Sequence, residues 1–211
     1  MLRIVAYPVL FILFLWVIRM IDQTFDLNLI RWGIYPRRPG GLIGIAVGPL
    51  IHSSNEHLIS NTIPLFFLGI ITFYFYRELA FPAFFWVYFS TGLWVWLAGR
   101  EAYHVGASGL IYSFVCFLFY SGLFRRKRSL MAISLLMIFL YGSLIWGIFP
   151  FQEKISWESH LLGAVAGFII AFFLRKEGPQ REQYEWEGEE DTGLKNEPAN
   201  DPGQEQNLDL P

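Results

Sequence analysis

The chain runs to 211 residues, 54% of them hydrophobic and only 16% charged, with a formal net charge of −2. Its charges gather in loops and in the C-terminal tail, which excludes an ordinary water-soluble domain and leaves several apolar runs near the roughly 20 residues that cross a bilayer. No basic stripe points to a nucleic acid, and the single cysteine, Cys116, lies inside an apolar run and excludes an intrachain disulfide.

Six spans are predicted, over residues 4–21, 57–76, 80–99, 108–124, 130–149 and 160–174, each too apolar on all faces for an amphipathic helix of a soluble protein. The first follows one basic residue, Arg3, and no small-residue cleavage pattern comes after it, so it is read as an uncleaved span. The segment between the first two spans is long and rich in Gly and Pro, and its apolar stretch 42–51 is too short to cross; an interfacial or partly embedded loop is expected. Arg77, the Arg125-Arg126-Lys127-Arg128 cluster and Arg175-Lys176 follow the second, fourth and sixth spans. With Arg3 they mark one side as cytoplasmic, against the opposing Arg31, Arg37 and Arg38 of the first loop, and put both termini inside. Residues 1–176 are thus expected to form the membrane domain. Residues 177–211 are acidic and poor in large apolar side chains, and are expected to be disordered and without a catalytic role.

In this topology the even-numbered spans all start at the same membrane face. The second opens with His57, the fourth with Ser108 and the sixth with His160. Ser108 lies in Gly106-Ala107-Ser108-Gly109, where glycines permit a tight turn into a helix whose N-terminal N–H groups favour negative charge. His57 and Asn61 are four apart and share a helix face, as do Ser108 and Tyr112. His160, Gly163 and Gly167 share another, and the small-xxx-small pair lets a neighbouring helix come close. Singly, each has a plainer reading as packing or as an interfacial polar residue. Gathered at one face, they make Ser108 a candidate nucleophile and His160, with its near-neutral pKa, a candidate general base. His57, Asn61 and the Ser108 N–H become donors to a developing oxyanion. Glu158 precedes His160 by only two residues, off its face, so a Ser–His dyad is expected in place of a Ser-His-Asp triad.

Together His57-x-x-x-Asn61, Gly106-x-Ser108-Gly109 and His160-x-x-Gly163-x-x-x-Gly167, in this order over six spans, resemble the rhomboid intramembrane serine proteases. The resemblance covers residues 4–174. It implies an all-α six-helix bundle with Ser108 as nucleophile, His160 as base, and His57 and Asn61 in the oxyanion hole. Tyr112 is implied to pack under the base, and His52 to be a structural loop histidine. It also implies an endopeptidase that needs no metal or cofactor and cleaves single-pass membrane proteins from within the bilayer, in a bacterial plasma membrane with the site toward the outer face. One departure stands out: many members carry a Trp-Arg pair in the first loop, where this chain has Gly41-Leu42-Ile43-Gly44-Ile45, and Arg31-Trp32 is in the wrong order and place. The rival from another class, a catalytically inactive relative acting as a membrane chaperone or substrate-binding protein, usually lacks the serine or the histidine; both are present. Metalloprotease and aspartyl-protease patterns are missing from the sequence, and no duplicated halves suggest a transporter.

Overall fold

The computed structural model describes residues 2–151 and 155–181; most of the acidic tail assigned to 177–211 therefore lies outside the described residues. Within them the protein is all-helical, with no strand. Its helices are α1 (Leu2–Phe25), a short α2 (Ile43–Val47), α3 (Asn55–Phe75), α4 (Ala80–Ala98), α5 (Ser108–Arg125), α6 (Arg128–Tyr141) and α7 (Trp157–Phe173). All but α2 belong to stretches long and apolar enough to cross a membrane; α6 reaches that length through a 3-10 continuation to Ile148, and α7 through one to Lys176. The chain is a multi-pass integral membrane protein.

The bundle is arranged around α5. Of its apolar stretch 61% is buried, against 17–39% for the other five spans. Its small residues permit this, because neighbouring backbones can reach them. A Cβ on Gly163 of α7 would stand 2.3 Å from the Gly109 carbonyl oxygen, and one on Gly167 would stand 2.0 Å from that of Ser113. α7 therefore lies directly on α5. On the opposite flank Gly122 meets the Leu130 carbonyl and Ser134 of α6 in the same way. Three polar contacts tie helices together inside the bundle: Thr91 to Ser113 at 3.2 Å, Ser134 to the Phe119 carbonyl at 2.7 Å, and Trp16 to Thr62 at 3.2 Å. Leu15, Leu58, Leu68, Phe117 and Leu118 fill the core with no exposure, while Leu135, Phe139 and Phe173 face outward, as the hydrocarbon of a bilayer requires.

The first loop folds as a compact cap rather than a plain connection. α2 packs on α4, with Ile45 over Gly92, and the Tyr88 hydroxyl donates to the Ala46 carbonyl at 2.6 Å. In place of the missing Trp-Arg pair, Arg37 anchors the loop. Its main-chain N–H donates to the Trp96 carbonyl at 2.9 Å and its guanidinium to the Gly99 carbonyl at 2.8 Å. Three residues earlier in the loop, the main chains of Ile34 and His104 exchange hydrogen bonds at 3.0 and 2.8 Å. The loop is thereby tied to the segment that leads into α5. At the other end of the bundle Arg125 is only 4% exposed, so one member of the basic cluster turns inward. It donates to the Leu174 and Glu177 carbonyls, at 2.5 and 3.0 Å, and lies over the Tyr76 ring. The C-terminal ends of α5 and α7 are joined by it.

Candidate active site

Ser108 is the first residue of α5. The turn before it depends on Gly106, whose φ of +106° is a conformation that side-chain-bearing residues rarely adopt. A Cβ there would also stand 2.4 Å from Cε1 of His57, so glycine lets the imidazole lie against the backbone of the turn. Ser108 Oγ is 2.8 Å from His160 Nε2, and His160 Nδ1 is 2.9 Å from the Gly147 carbonyl oxygen. A carbonyl can only accept, so Nδ1 carries the proton. Nε2 then presents its lone pair, and the serine hydroxyl donates to it. The Tyr112 ring stacks on the imidazole at 4.2 Å and 9°, and its hydroxyl donates to the Leu144 carbonyl at 2.8 Å.

The other singled-out residues sit around this pair. Ser54 caps α3 by accepting from the His57 N–H at 3.1 Å, and the His57 ring contacts Ser53 Oγ at 3.3 Å. Asn61 is buried, and one of its amide protons goes to the His57 carbonyl at 2.7 Å, back along its own helix. Ser108, His160, His57, Asn61 and Tyr112 all line one cavity of about 560 Å³. Gly109, Gly163 and Gly167 lie outside it, at the contact that brings α7 against α5. His52 is 1% exposed, and its Nε2 accepts from the Ala107 N–H at 3.4 Å, next to the serine. Burial, with the neighbouring His57 adding to it, pushes the His52 pKa down from 6.5 to about 4, so its ring is neutral.

Two further groups beside the site were not assigned a place in it from the sequence. His104 is buried; its Nδ1 accepts from Ser156 Oγ at 2.5 Å, its Nε2 donates to the Arg100 carbonyl at 3.1 Å, and Ser156 meets Ser159 at 2.6 Å. Burial lowers its pKa as well. Glu158, 4% exposed, turns away from His160. Its Oε1 lies 3.6 Å from Arg100 Nε and accepts from the Arg100 N–H at 3.4 Å, while Arg100 Nη2 donates to the Ile155 carbonyl at 2.9 Å. These contacts stitch the segment before Ser108 to the first turn of the helix that carries His160. Their signal was legible in part: Arg100, His104 and Glu158 are polar residues at the mouths of spans, where such groups are costly unless partnered. Their pairing across two loops was not.

A family model described as Rhomboid domain matches residues 39–177. Relatives from Mycobacterium bovis and Mycobacterium tuberculosis are each 37% identical over 178 residues, covering 78% of this chain and 72% of theirs. One from Mycobacterium leprae is 32% identical over 179 residues, covering 78% and 68%. All three are described as uncharacterized proteins.

Proposed function

The chain belongs to the rhomboid family, and from that premise we propose that it is an intramembrane serine endopeptidase working through a Ser108–His160 dyad. The observation that carries this reading is the 2.8 Å contact between the hydroxyl of Ser108, at a helix N-terminus, and the unprotonated Nε2 of His160. Nucleophile and base at hydrogen-bonding reach, with the base oriented by a third group, is the arrangement that acyl transfer needs.

Ser108 Oγ attacks the scissile carbonyl as His160 Nε2 takes its proton. Negative charge collects on the carbonyl oxygen, where the Ser108 N–H, His57 and the second amide proton of Asn61 serve as donors. Collapse expels the amine with the proton from His160 and leaves an acyl group on Ser108. Water, activated by the same imidazole, then releases it. The cavity of about 560 Å³ gives that water a place beside the dyad. Substrates on this reading are single-pass membrane proteins, and the site faces the outer side of a bacterial plasma membrane with both termini cytoplasmic. Residues 1–176 carry the activity, and the tail does not take part.

The test is labelling of the folded protein in detergent by a fluorophosphonate, alongside cleavage of a single-pass reporter. Wild type is expected to label and to cleave. Ser108→Ala should lose both, and His160→Ala should lose turnover by roughly 10⁴-fold or more. Folded wild type that neither labels nor cleaves, or labelling undiminished in Ser108→Ala, overturns the proposal and leaves the non-catalytic, substrate-binding reading in its place.

A further inference from the structure

The 3-10 segment Gly142–Ile148 that ends the fifth span holds the imidazole of His160 in two ways. Its Gly147 carbonyl meets Nδ1, at the ring edge, at 2.9 Å. Its Leu144 carbonyl fixes the Tyr112 hydroxyl at 2.8 Å, and Tyr112 covers the face of the ring at 4.2 Å. The edge and the face of the base are thus both referred to one short stretch of backbone, while Glu158, the acidic residue two positions before His160, is bonded to Arg100 instead.

Position 147 favours glycine for a steric reason. A Cβ there would stand 2.0 Å from Tyr112 Oη, 3.1 Å from Cζ and 3.2 Å from His160 Nδ1. Its φ does not lie in the left-handed region, so backbone conformation alone would allow alanine. What the missing side chain provides is room for the Tyr112 hydroxyl and the edge of the His160 ring beside the main chain of 147.

We propose that Gly147 is a positioning residue for the base: its main-chain carbonyl sets the tautomer and plane of His160, the task that a carboxylate performs in a Ser-His-Asp triad. The end of the fifth span is thereby part of the catalytic apparatus. This rests on reading Ser108 and His160 as nucleophile and base. A neutral carbonyl fixes the Nδ1–H tautomer as a carboxylate would, but stabilises the imidazolium less, because charge-assisted hydrogen bonds are the stronger kind. Any displacement of 142–148 releases the ring edge and the anchor of Tyr112 together, and the base loses its orientation.

The tautomer can be observed directly by nitrogen-15 NMR of the full chain in micelles with labelled histidine, the His160 signals being assigned by their loss in His160→Gln. Wild type is expected to show the Nδ1–H form. Gly147→Ala should shift His160 toward Nε2–H or a mixture, and lower kcat by roughly 10²-fold with KM little changed. Adding Tyr112→Phe removes the oxygen that the new methyl strikes, so Gly147→Ala/Tyr112→Phe should regain the Nδ1–H signal and the part of the lost kcat that does not depend on the Tyr112–Leu144 bond. An Nε2–H form of His160 in wild type overturns the proposal. So does a folded Gly147→Ala variant with unchanged tautomer and kcat, or a double variant that recovers neither. Wild type that shows the Nδ1–H form yet cleaves no substrate refutes the protease reading alone.

Discussion

His52 shows how much one buried side chain governs around the serine. It is 1% exposed, accepts from the Ala107 N–H, and packs its ring against that of His57 at 5.1 Å. Its pKa falls from 6.5 to about 4 because burial disfavours the charged form. The unfolded chain therefore binds the extra proton first as pH falls, so stability is complete above pH 6.5 and declines between 6.5 and 4. The loss over that window is on the order of 3 kcal/mol, and His104, shifted in the same direction by burial, adds to it. Unfolding midpoints measured in detergent from pH 7 to pH 4 should fall accordingly, with a shallower fall in His52→Gln. Of the residues at the site, Ser108, His57, Asn61, Tyr112 and His160 were legible because helical spacing and a shared membrane face leave a mark in the sequence. Gly147 was not, since every residue has a carbonyl and nothing in the sequence says which one meets an imidazole. Arg100 and Glu158 lie 58 positions apart, and only the closed fold pairs them.

Among the elements, the α5–α7 contact decides whether there is a site. The spacing of Gly163 and Gly167 marks a surface for close approach of a neighbouring helix, and the backbone of α5 is what they meet. Gly167→Val puts side-chain atoms where the Ser113 carbonyl stands, 2.0 Å from the first of them. It should destabilise the fold by about 3 kcal/mol or more. Gly142→Ala is the contrasting case, because its Cβ would have a single neighbour, Ile138, at 4.0 Å. It should stay within about 0.5 kcal/mol of wild type. Thermal unfolding of the two variants in one detergent checks the pair. The six spans themselves were legible to within a few residues, since long apolar runs and polar loops are hard to mistake. The change of the fifth span from α6 into a 3-10 segment was not legible, because the apolar character of 142–148 suits either helix.

For the molecule as a whole, the proposed topology puts the mouths of α3, α5 and α7 on one side and the basic loop after α5 on the other. The sole cysteine, Cys116, makes this testable: in a Cys116→Ala background, a cysteine replacing Glu101 should react with an impermeant maleimide on intact cells, and one replacing Lys127 only after lysis. The reverse pattern would turn the protein over. One feature carries further. Arg100 and Glu158 join α5's approach to the start of α7 at the mouth, while Arg125 joins the base of α5 to the end of α7. Helices respond to a bilayer thinner or thicker than their apolar length by tilting. Two helices fastened at both ends tilt together, and the distance from Ser108 to His160 is preserved as they do. Lipid thickness would then govern how readily a substrate reaches the serine, while the chemistry, once it has arrived, would run at the same rate in a thin membrane as in a thick one.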